Sequence, residues 1–260
     1  MPDLRLERGA GVAVLTIDRP QARNAIALTT MDEFDAALEE LEAGDQRVVV
    51  LTGAGDRAFI AGGDVKQLEA VRDEAFALQM ATRFRQSLDR LSNLPVPVVC
   101  ALNGVALGGG AEVAVACDFR VASDSARIGF VQVSLAVMPA WGGLERLAAL
   151  VGRARALYLL TGGQVLPAAD AFEYGLVERV WPSAGFEAAW RELAERMAAA
   201  PREALVAIKA AVQAVEPYQR PDLAPAATRA FARLWADPAH WEAAARQDRD
   251  RRAARGGGEG

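Results

Sequence analysis

The chain has few of the residues on which many soluble catalysts depend. Among 260 residues there is one histidine, His240, and there are two cysteines, Cys100 and Cys117. Ser-His-Asp or Cys-His catalysis must therefore use His240 or be absent, and a multi-histidine metal site is excluded. His240 stands in Asp237-Pro238-Ala239-His240-Trp241, which reads as a helix start and predicts a surface position for the ring. Both cysteines lie inside apolar segments and read as small core residues in a reducing cytosol, not as a disulfide. No run reaches the ~18 apolar residues of a membrane span. Residues 1–11 alternate charged and apolar side chains, without the apolar stretch of a secretory signal.

Positive charge is scarce too. The net charge is −5, and no basic stripe appears outside the last turns, which argues against a nucleic-acid partner. The five arginines of residues 246–255 are interleaved with Asp248 and Asp250 and run into a glycine-rich end, the pattern of a solvated helix and a frayed tail. With 52% apolar residues the chain can bury one large core or two modest ones. The expectation is a cytoplasmic globular protein, free of metal, membrane and nucleic acid.

What is present is a strand-and-helix alternation with clustered glycines. Leu4-x-Leu6 and Val12-x-Val14-x-Thr16-Ile17 alternate around Arg8-Gly9-Ala10-Gly11, predicting a hairpin. Met31, Phe34, Leu38 and Leu41 share one face of a helix over 28–41. Val48–Leu51 reads as a buried strand. Helical spacing resumes near Asp64 and runs, with a break near Asp73, to Leu91. Strand 96–101, helix 111–117, strand 119–122, helices 142–151 and 153–160 and a late strand 177–180 follow. Residues 1 to about 185 form this alternating unit. Residues 186–260 are all helix, with Leu205, Ile208, Val212 and Val215 on one face, a proline-marked connection over 217–225, and disorder expected from about 252. Apolar faces on such an appendage pack on the parent domain or a neighbouring subunit, which predicts an oligomer.

Two glycine clusters carry the chemistry. Gly53-x-Gly55 lacks the helix that a dinucleotide fingerprint needs, and no Gly-Lys-Ser/Thr follows the triple glycine, so neither is a nucleotide loop. Gly62-Gly63-Asp64 and Gly104-Val-Ala-Leu-Gly-Gly-Gly-Ala-Glu112 instead combine close backbone approach with a helix start that aims unpaired N–H groups outward. A carboxylate, Glu112, lies beside them. Such a site stabilises a developing oxyanion.

The set Asp18-Arg19-Pro20, Asn24-Ala25, Ala58-Phe59 with Ala61-Gly62-Gly63-Asp64-Val65, Asn103 through Glu112, Cys117-Asp118 and Pro139-x-x-Gly142-Gly143 resembles the crotonase (enoyl-CoA hydratase/isomerase) superfamily. Thr161-Gly162 and Ala171-x-x-x-Gly175-Leu176-Val177 extend the likeness over nearly the whole chain. The resemblance implies an α/β spiral of β-β-α turns over residues 1–185, which binds acyl-CoA, and a C-terminal helical trimerisation region over 186–260. It implies homotrimers or dimers of trimers and an acyl-CoA thioester substrate, with coenzyme A as part of the substrate and no separate cofactor. By position, Gly63 and Gly109 would supply the oxyanion-hole amides. Asn24, Ala25, Ile26, Ala61, Gly62, Asp64 and Val65 would hold coenzyme A, mainly through the main chain, and Lys66 or a C-terminal arginine would meet a phosphate.

One departure matters. The resemblance implies two glutamates clasping a water; Glu112 matches the first, but the second position holds Gln132. An amide orients water and cannot relay a proton. Three reactions remain open with one carboxylate: enoyl-CoA hydration, enoyl-CoA isomerisation, and decarboxylation of a methylmalonyl- or ethylmalonyl-type thioester. A coenzyme-A-binding scaffold without turnover is the non-enzymatic alternative. Trp141, before the Gly142-Gly143 helix start, is expected either to narrow the acyl pocket or to pack in the core. Helix capping and turn hydrogen bonds account for Asp64 and Asp118.

Overall fold

The computed structural model describes residues 2–64, 67, 72–214 and 223–256. Alternation at the N-terminus gives the predicted hairpin: β1 (Leu4–Gly9) and β2 (Val12–Ile17) pair antiparallel from Leu4↔Ile17 to Gly9↔Val12. Ala10 and Gly11 turn the chain at φ 52° and 79°, the left-handed pair a two-residue hairpin needs. Helix α1 (Leu28–Glu42) buries Met31, Phe34, Leu38 and Leu41 on one face.

Three turns of a spiral follow. The first is β3 (Val48–Gly53), β4 (Ala58–Ile60) and α2 (Glu74–Ser92). The second is β5 (Val98–Leu102), β6 (Val105–Leu107) and α3 (Gly109–Ala116). The third is β7 (Phe119–Ser123), β8 (Arg127–Gly129) and α4 (Gly143–Gly162). Then come β9 (Val165–Pro167), α5 (Ala168–Glu173) and β10 (Arg179–Trp181). Each turn gives one strand to a six-stranded sheet, β1-β2-β3-β5-β7-β10, and one to a four-stranded sheet, β4-β6-β8-β9. From β2 onward the first sheet is parallel, and parallel strands are covered on both faces, so all six residues of β3 are buried.

Successive residues on these strands alternate between two cores. Val49, Leu51, Val98 and Cys100 face the main core, while Val48, Val50 and Val99 face outward. Helix α6 (Phe186–Ala198) closes that outer face with Phe186, Trp190, Ala194 and Ala198. Helix α7 (Arg202–Gln213) is pinned by Lys209, whose ammonium lies 2.7 Å from Asp118 Oδ2 and donates to Val96 O at 3.1 Å. Its other side leaves Ile208 and Val212 60% and 63% exposed. Helix α8 (Leu223–Ala236) packs along α2 and leads into α9 (Pro238–Gly256).

Several boundaries differ from those read in the sequence. α2 starts at Glu74, where Asp73 accepts the Phe76 N–H and caps the helix; the helical spacing expected from Asp64 falls largely on 65, 66 and 68–71, outside the described residues. The two helices expected over 142–160 form one element with a break at Gly152 (φ 77°, ψ 160°). The late strand lies at 179–181, not 177–180. Of the proline-marked connection, 217–222 lie outside the described residues, as does Val215, and Pro225 sits in the first turn of α8. Helix α9 continues past 252 to Gly256, and 257–260 lie outside the described residues.

The surface position expected for His240 is wrong. The residue does open a helix, but its ring is 1% exposed. It packs against Trp235 and Trp241, with ring centroids 4.8 and 4.5 Å away, and those two rings meet each other at 4.9 Å. Three aromatic rings gain more by burial together than the helix start gains from solvent. The two cysteines are free and buried, as expected.

Candidate active site

The glycine run solves a crowding problem where strand β6 turns into helix α3. Gly108 takes φ 55°, ψ −115°, and α3 begins at the next residue with no side-chain cap. A β carbon on Gly109 would overlap the Trp141 indole, and one on Gly110 would overlap the main-chain oxygen of Ile60. The amide of Gly109 opens the helix, where N–H groups have no intrahelical acceptor.

The second glycine loop lies against the first. A β carbon on Gly62, which has φ 108°, would stand 3.2 Å from Leu107 O and 3.9 Å from the Gly109 nitrogen. A parallel bridge joins Gly63 to Ile26, through Ile26 N–H to Gly62 O (2.9 Å) and Asp64 N–H to Ile26 O (2.8 Å). That pattern uses the groups on either side of Gly63, so the Gly63 N–H faces away from Ile26. Among the described residues no backbone acceptor meets it.

Arg19 holds this loop in place. Its guanidinium pairs with Asp64 Oδ2 at 3.0 Å and Asp3 Oδ1 at 3.1 Å, and donates to Ala25 O at 2.5 Å. Asn24, at φ 57°, is fully buried. Its side chain accepts from the Arg19 N–H and donates to Ala54 O and Ala58 O, so it organises the turn through its own side chain. Ala25 and Ile26 are buried beside it, Ala61 and Gly62 form the loop edge, and Val65 and Lys66 lie outside the described residues. Arg19 stood in the sequence motif without an assigned role. Its signal was a cation between two turn-forming residues.

Glu112 projects from the first turn of α3 and is 3% exposed. Four donors meet its carboxyl group. Oε1 accepts from Gln132 Nε2 at 3.0 Å and Ala140 N–H at 3.3 Å; Oε2 accepts from Trp141 N–H at 2.8 Å and Gly143 N–H at 2.9 Å. A β carbon on Gly143 would collide with the Glu112 side chain, so this close approach requires glycine there. Burial pushes the Glu112 carboxyl up to about 7, against the four hydrogen bonds that favour its anion. A carboxyl at that value exchanges protons in either direction near neutral pH.

Gln132 comes from the 3₁₀ turn Val131–Leu135 and is itself buried. With its Nε2 committed to Glu112, its Oε1 is a buried acceptor with no partner among the described residues. Trp141 forms the wall between the carboxyl group and the glycines, lying over Gly109 with its ring 4.7 Å from that of Phe84 in an edge-on contact. The structure thus brings Glu112, Gln132, Trp141 and the two glycine loops together, with Asn24 behind them. Among the described residues, no group of three or more His, Cys, Asp or Glu side chains could hold a metal ion.

Residues 7–237 match the family model described as enoyl-CoA hydratase/isomerase. The short-chain-enoyl-CoA hydratase of Clostridium acetobutylicum is 38% identical over 214 residues, 81% of this chain and 79% of that protein. The crotonyl-CoA hydratase of Syntrophomonas wolfei is 38% identical over 181 residues, 67% of each. An enoyl-CoA hydratase structure from Bacillus anthracis superposes with a TM-score of 0.80 at 32% identity, covering 90% of both chains. The family model and these relatives cover most of the chain in sequence and in fold: the chain is an enzyme of the enoyl-CoA hydratase/isomerase family.

Proposed function

We propose that the protein hydrates a 2-enoyl-CoA thioester, with Glu112 as the single acid/base and Gln132 as the second anchor of the attacking water. The thioester oxygen is taken up by the N–H groups of Gly63 and Gly109, the segments 24–26 and 61–65 hold coenzyme A, and Lys66 or a C-terminal arginine meets a phosphate. Glu112 removes a proton from the water as the oxygen attacks C3, and the electron pair of the double bond moves onto the thioester oxygen as an enolate. The same carboxyl then returns the proton to C2, so that one water adds across one double bond. An oxyanion donor of this kind is worth ~3 kcal/mol of barrier.

The observation that carries this reading is the unpartnered Oε1 of Gln132 beside a carboxyl with a pKa of about 7. A water or hydroxyl group has a hydrogen to give that oxygen, whereas a substrate carboxylate, as decarboxylation requires, brings only acceptors. Isomerisation, which needs one carboxyl to carry a proton from C2 to C4, fits Glu112 equally and leaves Gln132 Oε1 unused. The functional unit we propose is a homotrimer or dimer of trimers in the cytoplasm, in line with the exposed Ile208 and Val212 of α7. No helix among the described residues is long and apolar enough to cross a membrane.

The test is direct. The protein is incubated in ¹⁸O-water with crotonyl-CoA, a 3-enoyl-CoA and methylmalonyl- or ethylmalonyl-CoA, and products are weighed by mass spectrometry. A labelled 3-hydroxyacyl-CoA is the expected product. Double-bond migration without label would make it an isomerase, loss of carbon dioxide a decarboxylase, and no turnover a binding scaffold.

A further inference from the structure

We propose that His240 is a positioning residue for the Gln132–Glu112 pair, acting from the C-terminal helix through the main chain of the turn that carries Gln132. This deepens the reading of Glu112 as the acid/base and rests on it.

The turn Val131–Leu135 cannot hold itself. It ends in Ala136 at φ 54°, ψ 30°, a left-handed conformation that is unfavourable for a non-glycine residue and persists only where its surroundings enforce it. Its earlier carbonyls are occupied: Ala136 N–H donates to Val133 O at 3.1 Å and Val137 N–H to Gln132 O at 3.2 Å. The last carbonyl, Leu135 O, receives no backbone N–H among the described residues. It receives His240 Nδ1 at 2.5 Å instead. A carbonyl can only accept, so Nδ1 must carry the hydrogen, which fixes the tautomer. Burial lowers the pKa of His240 from its usual value, so the ring stays neutral near pH 7.

The ring is braced for this task. It forms a three-ring cluster with Trp235 and Trp241, which meet each other edge-on at 4.9 Å, the Trp241 indole N–H donates to Trp235 O at 2.9 Å, and the Arg72 guanidinium lies 4.4 Å from the Trp241 ring centroid. A continuous path results, from the cluster of Trp235, His240 and Trp241 to Leu135 O, to the turn, to Gln132 Nε2 and to Glu112 Oε1. No other histidine exists in the chain. It caps the one turn whose side chain touches the acid/base.

The experiment reads Glu112 itself and needs no turnover. Ionisation of Glu112 is followed by the infrared carboxyl band against pH in the full-length protein, with Glu112→Gln as blank. The charged groups of the adjoining helices, Arg85, Glu145 and Arg146, are unchanged throughout. His240→Phe keeps a ring in the aromatic cluster and loses the donor; His240→Asn places an amide donor where Nδ1 was; His240→Gln places it where Nε2 was. The Glu112 midpoint is expected to rise by roughly half to one pH unit in His240→Phe and His240→Gln, because Gln132 no longer holds the anion, and to stay near wild type in His240→Asn. In a Gln132→Ala background His240→Phe should add no further shift. Equal midpoints in the Asn and Gln variants, or additive shifts with Gln132→Ala, would overturn the proposal and leave His240 a packing residue. Should no thioester be turned over while the midpoints move as expected, the proposed reaction falls and the coupling stands.

Discussion

Gln132 and Glu112, twenty residues apart in sequence, share a hydrogen bond in the buried floor of the site: the amide nitrogen of one donates to Oε1 of the other at 3.0 Å. The contact makes the residue at 132 a switch between two kinds of site. With an amide, the pair holds one ionisable group. With a carboxyl, two acids at this distance share a proton near neutral pH, and a second proton relay becomes available to the water. Gln132→Glu is therefore expected to raise crotonyl-CoA hydration by roughly tenfold or more. A variant with wild-type folding and an unchanged or lower hydration rate would show that the missing acid does not limit the reaction.

Removing the charge of Glu112 tests the other member of the pair. In Glu112→Gln the Gln132 amide can turn so that its Oε1 accepts from the new nitrogen, and the contact survives without a base. Hydration should fall by roughly 10² to 10⁴-fold with the fold retained. In the wild type kcat/KM should climb as pH rises through about 7, where Glu112 ionises, and the variant's residual rate should lack that limb. A pH–rate curve measured on both proteins decides it; retention of the limb in the variant would assign it to another group.

Much of this arrangement was readable from the chain. The apolar run Val48–Leu51 announced a buried strand and the two glycine clusters a backbone approaching a ligand, and Glu112 was legible because an acid stood alone in an apolar run. The four donors around it were not. Ala140, Trp141 and Gly143 act through main-chain N–H groups, which no residue type advertises, and only the glycine at 143 hinted at a close approach. His240 was misplaced for a related reason. A helix-start motif fixes local backbone, while burial depends on which rings α8 and α9 bring together. The break at Gly152 was visible because a glycine interrupts the helical period, yet its flanking segments continue as one element.

The raised pKa of Glu112 also predicts how stability varies with pH. The native carboxyl titrates at about 7 and the unfolded one near 4.5, so the folded state binds the proton more tightly. That contribution is fully present below about 4.5 and is lost as pH rises through 7, amounting to about 3 kcal/mol. His240 has the opposite sign: its folded pKa lies below the usual 6.5, so its contribution is present above 6.5 and is lost as pH falls. Because His240 is common to both proteins, the difference between wild type and Glu112→Gln isolates the carboxyl. Urea midpoints at pH 5 and pH 8 should diverge, the wild type weakening relative to the variant as pH rises. Parallel behaviour would mean that Glu112 does not carry a raised pKa.

Gly109 and Trp141 can be separated from Gly110 by a rescue experiment. Gly109→Ala places a methyl group into the Trp141 indole, a side chain that can be trimmed, whereas Gly110→Ala drives one into the main-chain oxygen of Ile60, which cannot. Both single variants should lose roughly 1–3 kcal/mol or more of stability from overpacking. Trp141→Phe alone leaves a small void beside Phe84 and should cost about 1–3 kcal/mol. Combined with Gly109→Ala, the two changes should cost less than their sum, because the methyl fills space the smaller ring vacates. Combined with Gly110→Ala, they should add. A denaturant double-mutant cycle on each pair reads this, and additivity in the Gly109 pair would mean that the indole does not press on that glycine. The same Trp141→Phe protein should accept longer or more branched enoyl-CoA substrates, measured as a rise in their kcat/KM relative to crotonyl-CoA, since the ring then leaves more room beside the amide of Gly109.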